Sequence, residues 1–303
     1  MKKSIAGRAS RIVARGSIVA TFIMPILALL ALAVPALAET AVERGAYLVN
    51  TVMACGNCHT PRDASGAFVT DKAFSGGLTI TTPAFVATAP NITQDRETGI
   101  GGWSDAEIKR ALIEGVRPNH GHFPGVTLAA VMPASFYKAL LPDDLDAIVA
   151  YLRTVKAVPN TVSDPEYKMP VHREPYPDAE KGFAKADFSD PVRRGAYLVT
   201  IGHCMECHTP GSSGHHDFAE SLGKGGQTFR GPWGESVSRN ITSHKEKGIG
   251  GWSDAEIKRA ITQGVRPDGS HLKPPMGFAW YARMNDDDLS AIVAYLRTVP
   301  PKE

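Results

Sequence analysis

The chain has four cysteines, and all of them stand in two pentapeptides, CGNCH at residues 55–59 and CMECH at residues 204–208. Cys-x-x-Cys-His is the spacing that attaches c-type haem. Two thiols one helical turn apart can each add to a porphyrin vinyl group, and the next residue, His, then lies under the iron as its proximal ligand. Other chemistries fit less well. A thioredoxin-like pair belongs at the end of a strand in a βαβ unit, for which the sequence shows no pattern. A zinc site needs four ligands and each motif supplies three, and a disulfide across so short a loop would be strained and stabilise little. The motifs therefore imply two covalently bound haems, one through Cys55, Cys58 and His59, the other through Cys204, Cys207 and His208.

The sixth ligand decides what such an iron can do. Met132 and Met276 each lie five residues before a tyrosine, Tyr137 and Tyr281, ahead of the last helical pattern of their half. His/Met ligation raises the reduction potential. Ordinary core methionines are one competing explanation. Bis-histidine ligation through His122 and His271, each four residues after the proline of an Arg-Pro pair, is another. A repeated His also suits a haem propionate or the loop backbone, and Arg117 and Arg266 could pair with propionates. His120, His172, His203, His215, His216 and His244 have no counterpart in the other half and are expected to be solvated.

The elements that must position these residues are written twice. GIGGWSDAEIKRA at residues 99–111 recurs unchanged at 248–260, a shift of 149 that also superposes the two cysteine motifs and NIT at 91–93 on NIT at 240–242. RGAYLV repeats at a shift of 150, from 44 to 194, and AIVAYLRTV at a shift of 144, from 147 to 291. Two tandem domains follow, residues 39–158 and 189–303, joined by a Pro-rich linker, 159–188, expected to be extended and semi-rigid. Each half shows three helical patterns and little strand signal. The second pattern has a capping box, Ser104 with Glu107 and Ser253 with Glu256, and a hydrophobic staple that accounts for Trp103 and Trp252. Gly115 and Gly264 stand where that helix should stop. The third buries one stripe, Leu145, Ile148, Val149 and Leu152, matched by Leu289, Ile292, Val293 and Leu296. Domains this loop-rich would bury a thin core alone, so a haem is expected to fill each.

Residues 1–38 run from a basic segment through an apolar stretch to Ala36-Leu37-Ala38, the pattern of a cleaved secretory signal peptide. An uncleaved membrane anchor is the alternative. Cleavage would remove Lys2, Lys3, Arg8, Arg11 and Arg15 and no acid, taking the formal charge from +2 to −3. The basic balance thus belongs to the leader, and no basic patch points to nucleic acid. The mature protein is expected in the periplasm, touching a membrane only through a partner or an uncleaved signal.

Taken together, RGAYLV before Cys-x-x-Cys-His, then NIT, GIGGWSDAEIKRA, GVRP, a Met and the AIVAYLRTV helix resemble the cytochrome c subunits of periplasmic alcohol, aldehyde and gluconate dehydrogenases, over both halves. The resemblance implies an all-α fold of two tandem class I cytochrome c domains, with Met132 and Met276 as distal ligands and no catalytic residue. It implies a dehydrogenase as electron donor and an oxidase or another cytochrome as acceptor. Those subunits often carry three haems and a C-terminal anchor, against two motifs and a polar end here. The alternative is a haem-centred oxidoreductase, a dihaem peroxidase or thiosulfate dehydrogenase. The near-identity of the halves argues against it, and the divergent AAVMPASF loop of the first half argues for it.

Overall fold

The computed structural model describes residues 38–212, 214–231 and 233–303, with positions 1 and 7. The expected leader therefore lies outside the described residues apart from positions 1, 7 and 38. Residues Glu39–Glu303 form one compact unit. The first half runs α1 (Ala41–Tyr47), a π-helical turn (Leu48–Val52), α2 (Cys55–His59), strands β1 (Thr79–Thr81) and β2 (Phe85–Thr88), then α3 (Asp105–Glu114), α4 (Ala134–Tyr137) and α5 (Pro142–Leu152). After β3 (Glu166–Tyr167) and α6 (Pro177–Lys181), the helical order recurs as α7 (Pro191–Ile201), α8 (Cys204–His208), α9 (Asp254–Gln263), α10 (Phe278–Tyr281) and α11 (Asp286–Thr298). Two hairpins, β4 (Gly211–Ser212) with β5 (His215–His216) and β6 (Thr228–Gly231) with β7 (Gly234–Val237), lie between α8 and α9. The all-α expectation is thus corrected to a mainly helical fold with, among the described residues, three small antiparallel sheets.

The local signals set these helices. Ser104 Oγ accepts from the Glu107 amide and the Glu107 carboxylate accepts from the Ser104 amide at 2.7 Å; Ser253 and Glu256 do the same. Gly115 (φ 70°) and Gly264 (φ 66°) end both helices in the left-handed region that glycine adopts without penalty. The π turn explains the change of repeat shift from 150 to 149 between RGAYLV and the cysteines. The first half has one more residue there, and the Met53 amide, bonding back to the Leu48 carbonyl at 2.8 Å, loops it out inside the helix.

In each half the first and last helices cross at a glycine. A Cβ on Gly45 would stand 1.9 Å from the Ala147 carbonyl oxygen, and one on Gly195 1.8 Å from that of Ala291. Beside each crossing a buried carboxylate at the start of the last helix is held from both halves. Asp144 accepts from Arg44 Nε and Nη2 at 2.8 and 2.9 Å and from the hydroxyl of Tyr197 at 2.5 Å. Asp288 accepts from Arg194 Nε at 2.8 Å and from the hydroxyl of Tyr47 at 2.6 Å. Arginine comes from the same half and tyrosine from the other, so the RGAYLV repeats are reciprocal ties.

The halves do not have separate cores. Leu48, Val49 and Val52 join Tyr197, Leu198, Val199 and Met205 in one apolar cluster with the α5 and α11 stripes, each side chain contributing roughly 2 kcal/mol by burial. The 159–188 segment is folded onto this body rather than spanning freely. β3 pairs with β2, and Tyr176 is buried with its ring stacked 4.6 Å from Phe136. Among the described residues, no helix is long and apolar enough to cross a membrane. Gly195→Ala should force the α7 and α11 backbones apart and lower the unfolding free energy by about 2 kcal/mol or more, seen as a reduced denaturant midpoint at unchanged slope in the purified protein.

Candidate functional site

Both cysteine motifs form five-residue helices entered through a left-handed residue that is not glycine, Ala54 (φ 48°, ψ 39°) before α2 and His203 (φ 43°, ψ 32°) before α8. Such a backbone costs on the order of 1–2 kcal/mol and turns the chain sharply out of the preceding helix. The helical spacing then sets Cys55 with Cys58, and Cys204 with Cys207, on one face. Burial pushes Cys55 and Cys204 up to about 12 and Cys58 to about 11, while Cys207 rises further through burial and the Glu206 carboxylate. All four are thereby favoured as thiols over thiolates at neutral pH.

The two histidines are held alike. His59 Nδ1 lies 2.7 Å from the Pro90 carbonyl oxygen and His208 Nδ1 2.6 Å from that of Arg239. A carbonyl only accepts, so Nδ1 carries the proton and Nε2 keeps its lone pair for a metal. Burial depresses both pKa values, keeping the rings neutral. This fits an iron-ligating imidazole.

The NIT repeats supply that carbonyl. Asn91 is buried and uses its whole amide: Nδ2 donates to Thr98 Oγ1 (3.0 Å) and the Val158 carbonyl (2.8 Å), and Oδ1 accepts from the Thr93 amide (2.9 Å) and hydroxyl (2.7 Å). Asn240 binds Thr242 in the same way and donates to the Lys302 carbonyl at 2.8 Å. Each asparagine fixes the residue before it, whose carbonyl orients the histidine. Sequence inspection found the repeat but not this role.

Met132 and Met276 occupy matching places despite the unequal loops before them. Each precedes the cap of a short helix, Pro133 (φ −82°, ψ 55°) for α4 and Gly277 (φ −84°, ψ 50°) for α10. The paired histidines do not match. His122 is half-buried against Phe123 with Nε2 unpartnered among the described residues, whereas His271 is exposed in a bridge with Val265.

Among the described residues, several buried side-chain nitrogens have no hydrogen-bond partner, which would suit a group bearing carboxylates. Arg173 Nε, Trp103 Nε1, Trp280 Nε1 and His122 Nε2 are among them, and burial depresses the Arg117 guanidinium, which lies close enough to His59 to lower it. The staple thus leaves the Trp103 indole N–H unaccounted for. Arg117 Nη1 donates to the Val126 carbonyl at 3.2 Å and Arg266 Nη1 to Ser270 Oγ at 3.3 Å. The expectation of solvated histidines holds for His120, on Glu107 at 2.8 Å, and for exposed His215, but not for half-buried His172 and His244, the latter accepting at Nδ1 from the Glu246 and Lys247 amides. It fails for half-buried His203, packed against Tyr137 and 3.1 Å from Glu206, and for His216.

The first attachment helix packs against the α10 region of the second half. Asn57 Nδ2 donates to the Pro275 carbonyl at 2.8 Å, and Trp280 packs so tightly on Gly56 that a Cβ there would come within 2.2 Å of the indole. Burial raises the Tyr281 phenol well above its usual range, and Cys204, Cys207, Cys58 and Cys55 all add to the rise. Trp280 escaped sequence inspection because α10 is too short to show a period. Asn91→Ala removes four buried bonds and should cost about 3 kcal/mol, measured by chemical unfolding of the haem-loaded protein.

Comparison with known proteins agrees with this geometry. The family model for cytochrome c matches residues 192–300. A protein of Cereibacter sphaeroides named "Diheme cytochrome c-type" is 30% identical over 260 residues, covering 82% of this chain and 83% of that one. The gluconate 2-dehydrogenase cytochrome c subunit of Pantoea cypripedii is 28% identical over 88% of this chain, which spans 61% of that subunit's length. The cytochrome c subunit of a quinone-linked alcohol dehydrogenase from Gluconacetobacter polyoxogenes is 36% identical over 34% of this chain and 21% of its own length. Identity sustained along the chain, with a Cys-x-x-Cys helix presenting a carbonyl-oriented histidine, places it among the cytochromes c, proteins of electron transfer with covalently bound haem.

Proposed function

We propose that the chain is a periplasmic dihaem cytochrome c that takes electrons from a partner dehydrogenase and passes them to a terminal oxidase or another cytochrome. The carrying observation is that both attachment helices, each with its own carbonyl-bound histidine, meet within one shared core. One-electron exchange at iron is the chemistry the bound haems supply. The protein's part is to hold and tune. Cys55, Cys58, Cys204 and Cys207 anchor, and His59 and His208 ligate through Nε2. Met132 and Met276 would supply the other ligand to each iron, a reading supported by their matching positions and by the unequal settings of His122 and His271. Half-buried Arg117 and Arg173 would meet the propionates of the first haem. Residues 39–158 and 189–303 are the two class I domains, and residues 1–38 export them.

The partner class rests on the relatives, several of which are named as cytochrome subunits of gluconate, fructose or alcohol dehydrogenases. A catalytic haem would call for unlike halves. The divergent loop before Met132 leaves the cap that follows it the same as its counterpart, which favours the carrier over a peroxidase or thiosulfate dehydrogenase.

Near-infrared magnetic circular dichroism of the oxidised protein should show two His/Met centres. Met132→Ala and Met276→Ala should each abolish one and lower that haem's potential by on the order of 0.1–0.3 V, within the range axial ligands command. A haem that is high-spin, bis-histidine or indifferent to its methionine change would overturn the assignment for that half. Turnover of peroxide or thiosulfate by this protein alone would favour the enzyme.

A further inference from the structure

The linker and the β4–β5 hairpin bring together three side chains that the haem sites do not use. His172 and His215 stack with ring centroids 3.7 Å apart and planes 5° from parallel. Glu174 Oε2 lies 3.2 Å from His172 Nε2. One nitrogen from each ring and a Glu174 oxygen all lie within 4.8 Å of one another.

The backbone holds this arrangement in advance. Along an extended chain alternate residues share a face, and the linker follows that rule. His172 and Glu174 turn towards the hairpin, while Arg173 turns to the first half and donates to the Leu128 carbonyl at 2.5 Å. Pro170 and Pro175 flank the three residues and restrict their backbone. On the facing side, the Glu174 amide donates to the Gly214 carbonyl at 2.7 Å. A Cβ on Gly214 would stand 1.9 Å from the His172 carbonyl oxygen, so only glycine permits this approach. Next along, half-buried His216 keeps a buried Nδ1 without a partner among the described residues and lines the same open depression as Glu174 and His215.

We infer that His172, Glu174 and His215 form a binding site for one divalent transition-metal ion of zinc(II) type, distinct from the haem irons. Two imidazoles and a carboxylate are a donor set for such borderline ions. Ligand atoms around tetrahedral zinc sit about 3.3 Å apart, given Zn–N distances of about 2.0–2.1 Å. Small side-chain rotations would close the present spacing. His172 and Glu174 have 43% and 38% of their side chains exposed, enough for an ion to enter without unfolding and for water to complete its coordination. A bound ion ties the linker to the hairpin that follows the second attachment helix.

The test is calorimetric titration of zinc chloride into untagged, haem-loaded protein that has been stripped with a chelator. The inference predicts one equivalent bound, at least about tenfold weaker in His215→Ala and in Glu174→Gln, and lost in the His172→Ala/His215→Ala double variant. An unchanged haem absorption spectrum and thermal melt would establish that the variants remain folded. Glu174→Gln, which keeps shape and volume, carries the test if either alanine variant fails to fold. Absence of saturable binding to the parent protein, or binding of undiminished affinity in the variants, would overturn the site.

Discussion

A buried carboxylate at the head of each closing helix holds this molecule together. Asp144 and Asp288 are 6% and 1% exposed, and an unpaired charge at either place would cost several kcal/mol. Each is satisfied by an arginine from the first helix of its own half and a tyrosine from the other half. Both also sit in the first turn of a helix, where the dipole favours negative charge. Because tyrosine crosses over in both directions, neither half can move away without taking a hydrogen bond from a buried carboxylate in each. The single apolar core follows from that constraint, and it gives two small loop-rich halves the burial that neither would reach alone.

From this frame the site is built outward. Helix α1 with its π turn and helix α7 deliver the chain to left-handed residues that swing it into α2 and α8. Asparagines 91 and 240 set the carbonyls of Pro90 and Arg239, and those carbonyls set the histidines. Trp280, Asn57 and Pro275 then tie the first attachment helix to the α10 region across the boundary between the halves.

What could be read from sequence was local or repeated. The cysteine motifs, the Ser104 and Ser253 caps, the terminal glycines and the leucine–isoleucine stripes each announce themselves within a few residues, and the structure places them as expected. Contacts between distant segments leave no such trace. Nothing near Tyr47 points to Asp288, and nothing in a proline-rich stretch marks Tyr176 for the core, although an aromatic residue there was a usable hint. The small sheets escaped because strands of two to four residues are too short for alternation to register. His172 and His215 looked like isolated surface histidines for the same reason: their partnership exists only once linker and hairpin have met.

The central claim, that each half of this chain carries its own covalent haem inside one shared core, is tested most directly by the mass of the exported protein under denaturing conditions. The account predicts the mature polypeptide plus two haems that persist through unfolding and acid extraction. A bare polypeptide, or one haem only, would contradict it.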